Sequence, residues 1–343
     1  NVRRLLHAEN QVKEELSRVI VPGAMRGLAK MNLVREIFVS DQMVKVTLAS
    51  AALNQATQDW VKDQIREHIE KLAGAKETQV DFVEAKPKEL NQIGHVVAVM
   101  SGKGGVGKSL VTGLLAIALN REGREVGILD ADITGPSIPK MFGINTRPTG
   151  SDTGILPVLS RAGIGIMSIN LLLEREDDAV IWRGPLIGKA IQQFWDDVLW
   201  GKLDYLLVDL PPGTADASLT VMQSLPVSGV IIVSTPQDLA AMVVRKAMSM
   251  TQKMNISVLG VVENMSYFLL PDTGKKIELF GKSKGQEMAK AAGAPLLGQL
   301  PIDTEIAKLC DEGKIERYQS SAFTSYAHTT SRLAIEIEKP RTE

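Results

Sequence analysis

Eight consecutive residues, Gly102, Lys103, Gly104, Gly105, Val106, Gly107, Lys108 and Ser109, fit the spacing G-x-x-x-x-G-K-[ST]. Glycines so spaced let backbone N–H groups curl around a phosphate, and a helix N-terminus behind them favours the same anion. There Lys108 would contact the β- and γ-phosphates and the Ser109 hydroxyl would hold Mg²⁺. The expected nucleotide-contacting run ends at Leu110. Lys103 is unusual, because its own loop offers it no obvious phosphate. It is either a solvated loop lysine or a cation reaching across a dimer interface to the partner's nucleotide, as a finger supplied in trans.

Carboxylates follow at positions that suit the same chemistry. Residues 205–209 (YLLVD) read as an apolar strand ending in Asp209, an acid placed to anchor the Mg²⁺ shell. Pro212 and Gly213 come next and read as a rigid switch loop, with the Gly213 N–H available to a γ-phosphate. Asp130 and Asp132 stand at i and i+2 and so share one face of an extended segment. They suit Mg²⁺-bound water and positioning of the attacking water, with Asp132 the better placed; the alternative is a solvated turn before Gly135-Pro136.

These residues need a scaffold that delivers them to one edge. Residues 95–100 (HVVAVM) read as a buried strand before the loop, and 110–120 as an amphipathic helix after it. Further strands are expected at 125–129, 229–234, 257–264 and 295–299, with helices between most of them. Such alternation implies a mainly parallel sheet covered by helices on both faces, with ligands bound at the carboxyl ends of the strands. Upstream, the order is helix 9–20, a hairpin of 33–39 and 43–48, helix 57–72 and strand 79–83, a small α+β domain. The expected division is a small domain at 1–86, a charged linker at 87–94 and an α/β domain at 95–343.

Composition narrows the partners. Hydrophobic residues make up 44% of the 343-residue chain and charged residues 23%, ordinary for a globular protein. The formal net charge of −1 argues against a strongly basic surface, so no nucleic-acid partner is expected. No apolar run reaches membrane-spanning length and no secretory signal is seen, so a cytoplasmic location with no membrane partner is expected. Cys310 is the single cysteine, which excludes a disulfide framework and any metal site needing two cysteines from one subunit. It sits near the end of a helix capped by Gly313 and reads as a small core residue. The four histidines, at 7, 68, 95 and 328, have no metal spacing.

Six strings carry a resemblance. MSGKGGVGKS (100–109), LDADITGPSIPKMFG (129–143), WRGP (182–185), DYLLVDLPPGTADASLT (204–220), VSTPQDLA (233–240) and GVVENMSYF (260–268) occur in this order over about 250 residues. Together they resemble the Mrp/ApbC group of iron–sulfur cluster carriers, within the MinD/ParA/ArsA/nitrogenase-iron-protein class of P-loop ATPases with a deviant Walker A loop. VREIFVSDQMVKVTL (34–48) and the helix after it resemble the small α/β domain that precedes the ATPase in many Mrp proteins. The resemblance implies a homodimer closed over ATP and Mg²⁺, with Lys103 acting in trans. It implies that Asp132 positions the attacking water, Asp209 anchors Mg²⁺ and Asn264 contacts adenine. Gln237 and Asp238 would lie near the nucleotide and the dimer interface, and Pro301 and Asp303 would belong to a loop near the base.

One departure matters. Members usually carry C-P-x-C after the ENMSYF string, and paired cysteines from two subunits hold a bridging iron–sulfur cluster. Here Leu270 and Thr273 stand at those positions, and neither is a thiolate. Two readings follow: an ATP-hydrolysing homodimeric carrier that serves a client iron–sulfur apoprotein, or a cluster-free, ATP-driven dimerisation switch that regulates or loads a partner protein.

Overall fold

A computed structural model of the chain describes residues 2–40, 42–72, 77–132, 137–172, 184–213, 216–237, 240–270 and 272–330. Gly135-Pro136, Trp182 and Arg183 of the WRGP string, Thr214, Asp238, Pro271 and the acidic tail lie outside them. The described residues fall into two compact units, one drawn from 1–93, 148–159 and 193–203, the other from 94–147, 160–192 and 204–343.

The first unit follows the expected α-β-β-α-β order: helix Val2–Ser17, strands Val34–Val39 and Met43–Ala49, helix Gln55–Glu70 and strand Glu77–Val83. The middle strand pairs antiparallel with the first and parallel with the third. Alternation decides its faces, with Val44, Val46 and Leu48 buried. They share a core with Val61, Ile65 and Ile69, which recur every four residues along the second helix. That helix begins two residues before the expected start because the Asn54 side chain accepts the Thr57 N–H at 2.9 Å and caps it.

Two expectations about boundaries need correction. Residues 87–94 are ordered backbone rather than a linker: Pro87–Leu90 is a helical turn with Leu90 fully buried, and a strand begins at Gln92. Residues 148–159 and 193–203, assigned to the α/β domain by contiguity, cluster with the N-terminal unit instead. There Leu156 and Leu199 join its core, the Arg26 guanidinium donates to the Trp200 carbonyl at 2.8 Å, and Asn91 donates to the Val198 carbonyl at 2.9 Å.

The second unit is built on a sheet whose strands run in the order Gly165–Ser168, Val126–Asp130, Lys202–Asp209, Gln92–Ser101, Gly229–Ser234, Ser257–Glu263, Leu296–Gln299. The recorded registers between these strands are all parallel. Gly165–Ser168 had no strand signal of its own in the sequence. The central strands are buried on both faces, which is why they read as unbroken apolar runs. The helix after the loop spans Lys108–Arg121 and is buried on every side from Val111 to Leu119, not amphipathic as expected. It lies in one core with sheet residues such as Val97, Ile128 and Leu207 and with Phe323 and Tyr326 of the helix Ser321–Thr330. Among the described residues no helix is long and apolar enough to cross a membrane.

Parallel strands in register bring their polar last residues into rows. Ser168, Asp130 and Asp209 are partners at one side of the loop strand, and Ser234, Glu263 and Gln299 at the other. The phosphate-binding motif rises between these rows, where parallel sheets place their ligands.

Candidate nucleotide site

The loop leaves its strand at Ser101 and enters its helix at Lys108. Gly105 and Gly107 adopt left-handed conformations, φ +79° and +78°, which a side chain would strain. The Ser101 hydroxyl donates to the Lys103 carbonyl at 2.9 Å and fixes the first turn. Lys103 itself is exposed at the rim.

Three donors converge on Asp209, which is fully buried. The Lys108 ammonium lies 2.7 Å from Oδ1, the Thr112 hydroxyl 2.9 Å from Oδ1, and the Ser109 hydroxyl 2.5 Å from Oδ2. Asp132 Oδ2 stands 3.6 Å from the same ammonium. The structure thus brings Lys108, Ser109, Asp132 and Asp209 to one point. Thr112 escaped sequence reading; its signal is its place one turn beyond Lys108 on the same helix face. Ser109 Oγ and Asp209 Oδ2 offer adjacent oxygens, the donor type that Mg²⁺ takes, so the residues present fit that ion.

Asp130 is not on the site's surface. It is 1% exposed, with Oδ2 accepting from Ser168 at 2.9 Å and Oδ1 from the Asp132 N–H at 3.1 Å. Burial first, and the charge of Asp209 second, push its carboxyl well above the usual carboxylate range. It acts as a strut beneath Asp132, and Asn170 reinforces it by donating to the Asp132 carbonyl at 3.4 Å.

A cavity of about 450 Å³ opens over the loop. Lys103 to Leu110, Asp132, Lys140, Pro212 and Cys310 are among the residues that line it. Gly213 follows Pro212 with φ +86°. Cys310 is therefore a wall residue rather than only a core one. Burial first, and Asp311 second, push its thiol up to about 11, which makes it a poor thiolate.

Asn264 is buried below the loop and donates through Nδ2 to the Val106 carbonyl at 2.9 Å. Asp303 is engaged elsewhere: Oδ1 caps the helix Thr304–Asp311 by accepting the Glu305 N–H at 2.8 Å, and Oδ2 accepts from Tyr318 at 2.8 Å. Neither Pro301 nor Asp303 is in the cavity wall. Gln237 is exposed on the segment after Ser234.

The positions of the C-P-x-C motif fall on a small hairpin, Phe268–Leu269 paired with Lys276–Ile277. The Leu270 N–H bonds to the Lys275 carbonyl at 3.0 Å, and the Thr273 hydroxyl accepts the Lys275 N–H at 3.3 Å. Among the described residues no group of three or more His, Cys, Asp or Glu side chains is placed to hold a metal ion. This residue set does not fit a thiolate-held cluster within one chain.

Comparison with known proteins identifies the family. A family profile described as NUBPL iron-transfer P-loop NTPase matches residues 92–336, and one described as iron-sulfur cluster assembly protein matches 9–82. An iron-sulfur cluster carrier protein of Synechocystis is 36% identical over 305 residues, covering 85% of this chain and 86% of that protein. A nucleotide-binding protein of Archaeoglobus fulgidus, solved in complex with ADP and with cobalt, is 48% identical and superposes with a TM-score of 0.61, covering 67% of this chain and 91% of that one. The MinC:MinD complex of Aquifex aeolicus, 18% identical, covers 73% of this chain and 98% of its own with a TM-score of 0.50, a likeness of fold. With one profile spanning more than half of its length and a relative matched along most of it, the chain belongs to the NUBPL iron-transfer P-loop NTPase family.

Proposed function

We propose that the protein binds and hydrolyses MgATP as a homodimer and works as a carrier in the delivery of iron–sulfur clusters to client apoproteins. The observation that carries the nucleotide half is the convergence of Lys108, Ser109 and Thr112 on Asp209, with Asp132 beside the same ammonium. The loop N–H groups would hold the phosphates and Lys108 the β- and γ-oxygens. Ser109 and Asp209 would hold Mg²⁺, which when bound neutralises charge developing on the transferred phosphoryl group. Asp132 would orient the attacking water, with Asp130 holding its backbone in place. Lys103, exposed at the rim, would complete the partner's site.

The carrier half rests on the family and on relatives named as carriers. A second reading, a cluster-free switch that loads or regulates a partner protein, is favoured by Leu270 and Thr273 at the cysteine positions. Phosphate release by wild type, Lys108→Ala and Asp132→Asn tests the hydrolysis. Lys108→Ala should abolish turnover, and Asp132→Asn should slow it and accumulate an ATP-bound dimer; unchanged turnover in both would overturn these roles. Anaerobic reconstitution with iron and sulfide, beside Cys310→Ser, separates carrier from switch. A stoichiometric cluster supports the carrier and its loss in the variant makes Cys310 a ligand; no cluster in either protein leaves the switch.

A further inference from the structure

We infer that Glu263 and Asn264 form a brace that holds the phosphate-binding loop in its anion-ready shape, so that Asn264 acts as a positioning residue for the phosphates. The inference rests on the nucleotide reading above and assigns this pair a role distinct from contact with a base.

The brace begins at Glu263, a fully buried carboxylate. Its charge is met by donors from three segments. Ser266 and Ser283 hydroxyls donate to Oε2 at 2.6 Å each, the Lys284 N–H donates to Oε1 at 2.7 Å, and the Gln299 amide donates to Oε2 at 3.2 Å. Burial alone would raise this carboxyl, but the four hydrogen bonds outweigh it and hold it below the usual carboxylate range. It also sits at the N-terminus of the helix Gly285–Ala292, whose dipole favours a negative charge.

The backbone on either side is pinned as well. The Leu300 N–H bonds to the Glu263 carbonyl and the Ser266 N–H to the Leu300 carbonyl, both at 2.9 Å. Between these anchors Met265 is held at φ +54°, a conformation a non-glycine residue adopts only when its surroundings impose it. Asn264 therefore has little freedom. Its N–H bonds to the Ser234 carbonyl at 2.8 Å, and its Nδ2 reaches the Val106 carbonyl inside the loop.

That contact ties the Val106 carbonyl to Asn264, which is not among the residues that line the cavity. A carbonyl turned into the cradle would repel an anion; tied down, it leaves the N–H groups to face the ligand. The next residue shows how tight the fit is. A Cβ on Gly107 would collide with Asn264 Nδ2, so the glycine is demanded by the brace as well as by its positive φ.

The test uses Mg²⁺ with inorganic tripolyphosphate, a ligand with phosphates and no base, beside MgATP. Affinities are measured calorimetrically for the full chain and for Asn264→Ala, Asn264→Asp and Glu263→Gln. Asn264→Asp keeps the side-chain volume and removes the donor, so it serves if the alanine variant folds poorly; melting curves report folding. Loss of the buried hydrogen bond should weaken tripolyphosphate and ATP alike, by roughly ten-fold. Glu263→Gln should weaken both in the same proportion. If ATP affinity falls and tripolyphosphate affinity does not, the brace is refuted and Asn264 reads the base. If neither falls while the melting temperature does, the pair is only structural and the inference is again refuted. Failure of the wild type to bind either ligand would overturn the nucleotide reading itself.

Discussion

Replacing Thr112 by Val tests whether the buried acid of the site is oriented by the helix that follows the loop. Thr112 is fully buried, and its hydroxyl lies 2.9 Å from Asp209 Oδ1 and 3.0 Å from the Lys108 carbonyl. One proton cannot serve both acceptors fully. If it goes to the carboxylate, valine removes a hydrogen bond to a buried charged group, worth about 1.5–3 kcal/mol. Valine nearly preserves the shape, so little of that loss would come from packing. For a unit of this size the melting temperature should fall by roughly 3–10 °C. Asp209 would keep Lys108 and Ser109 but lose one of three restraints, and the Mg²⁺ concentration that half-saturates ATP turnover should rise about ten-fold. Thr112→Ser keeps the hydroxyl and should restore the Mg²⁺ requirement. The assay is phosphate release across a Mg²⁺ titration, with calorimetric melting alongside. A Mg²⁺ requirement unchanged in Thr112→Val would mean the proton serves the Lys108 carbonyl, the ordinary back-bond of a helical threonine, and that Thr112 does not orient the acid.

Three further outcomes are expected. Lys103→Ala should leave the affinity of a monomer for ATP near wild type yet remove concentration-dependent hydrolysis; wild-type turnover at all protein concentrations would refute a role in trans. Glu263 should mark the acid limb of stability: its lowered carboxyl adds stability above the ordinary value of 4.5 that is lost as pH falls through the lower folded value. The melting-temperature gap between wild type and Glu263→Gln should therefore close below about pH 4.5, and a gap constant with pH would contradict the buried, ionised carboxylate. Cys310, pushed from an ordinary 9.0 to about 11, should react with iodoacetamide at pH 8 about a hundred-fold more slowly than a free thiol. Because Cys310 lines the cavity, MgATP should slow it further, and nucleotide-independent labelling would place the thiol away from the ligand.

Much of the site was legible because its signals are local. The loop must carry glycines where φ is positive and a lysine and hydroxyl where the helix begins, so Gly102 to Ser109 announce themselves within eight residues. Asp209 was legible as the acid that ends an unbroken apolar strand. The six expected strands were found with ends shifted by at most a few residues, and the helix Gln55–Glu70 starts where the Asn54 cap sets it rather than where the apolar pattern begins. Gly165–Ser168 gave no signal because four residues are too few for periodicity, and its pairing with Val126–Asp130 is what makes it a strand.

Composition and spacing by themselves determined the chemistry available to this chain: a phosphate loop with a second lysine, acids at the ends of two strands and a single cysteine. Only the tertiary structure decided which acid is buried and which stands beside the loop lysine. Asp130 and Asp132 are two residues apart and share one face of an extended segment, yet register with Asp209 and Ser168 buries the first and leaves the second beside Lys108. The same holds for Asn264 and Asp303, whose partners Val106 and Tyr318 lie 158 and 15 residues away along the chain. Long-range register and burial set these roles because a carboxylate or amide takes its charge and direction from whichever groups the fold stacks against it, and neighbours in space are not written in neighbours in sequence.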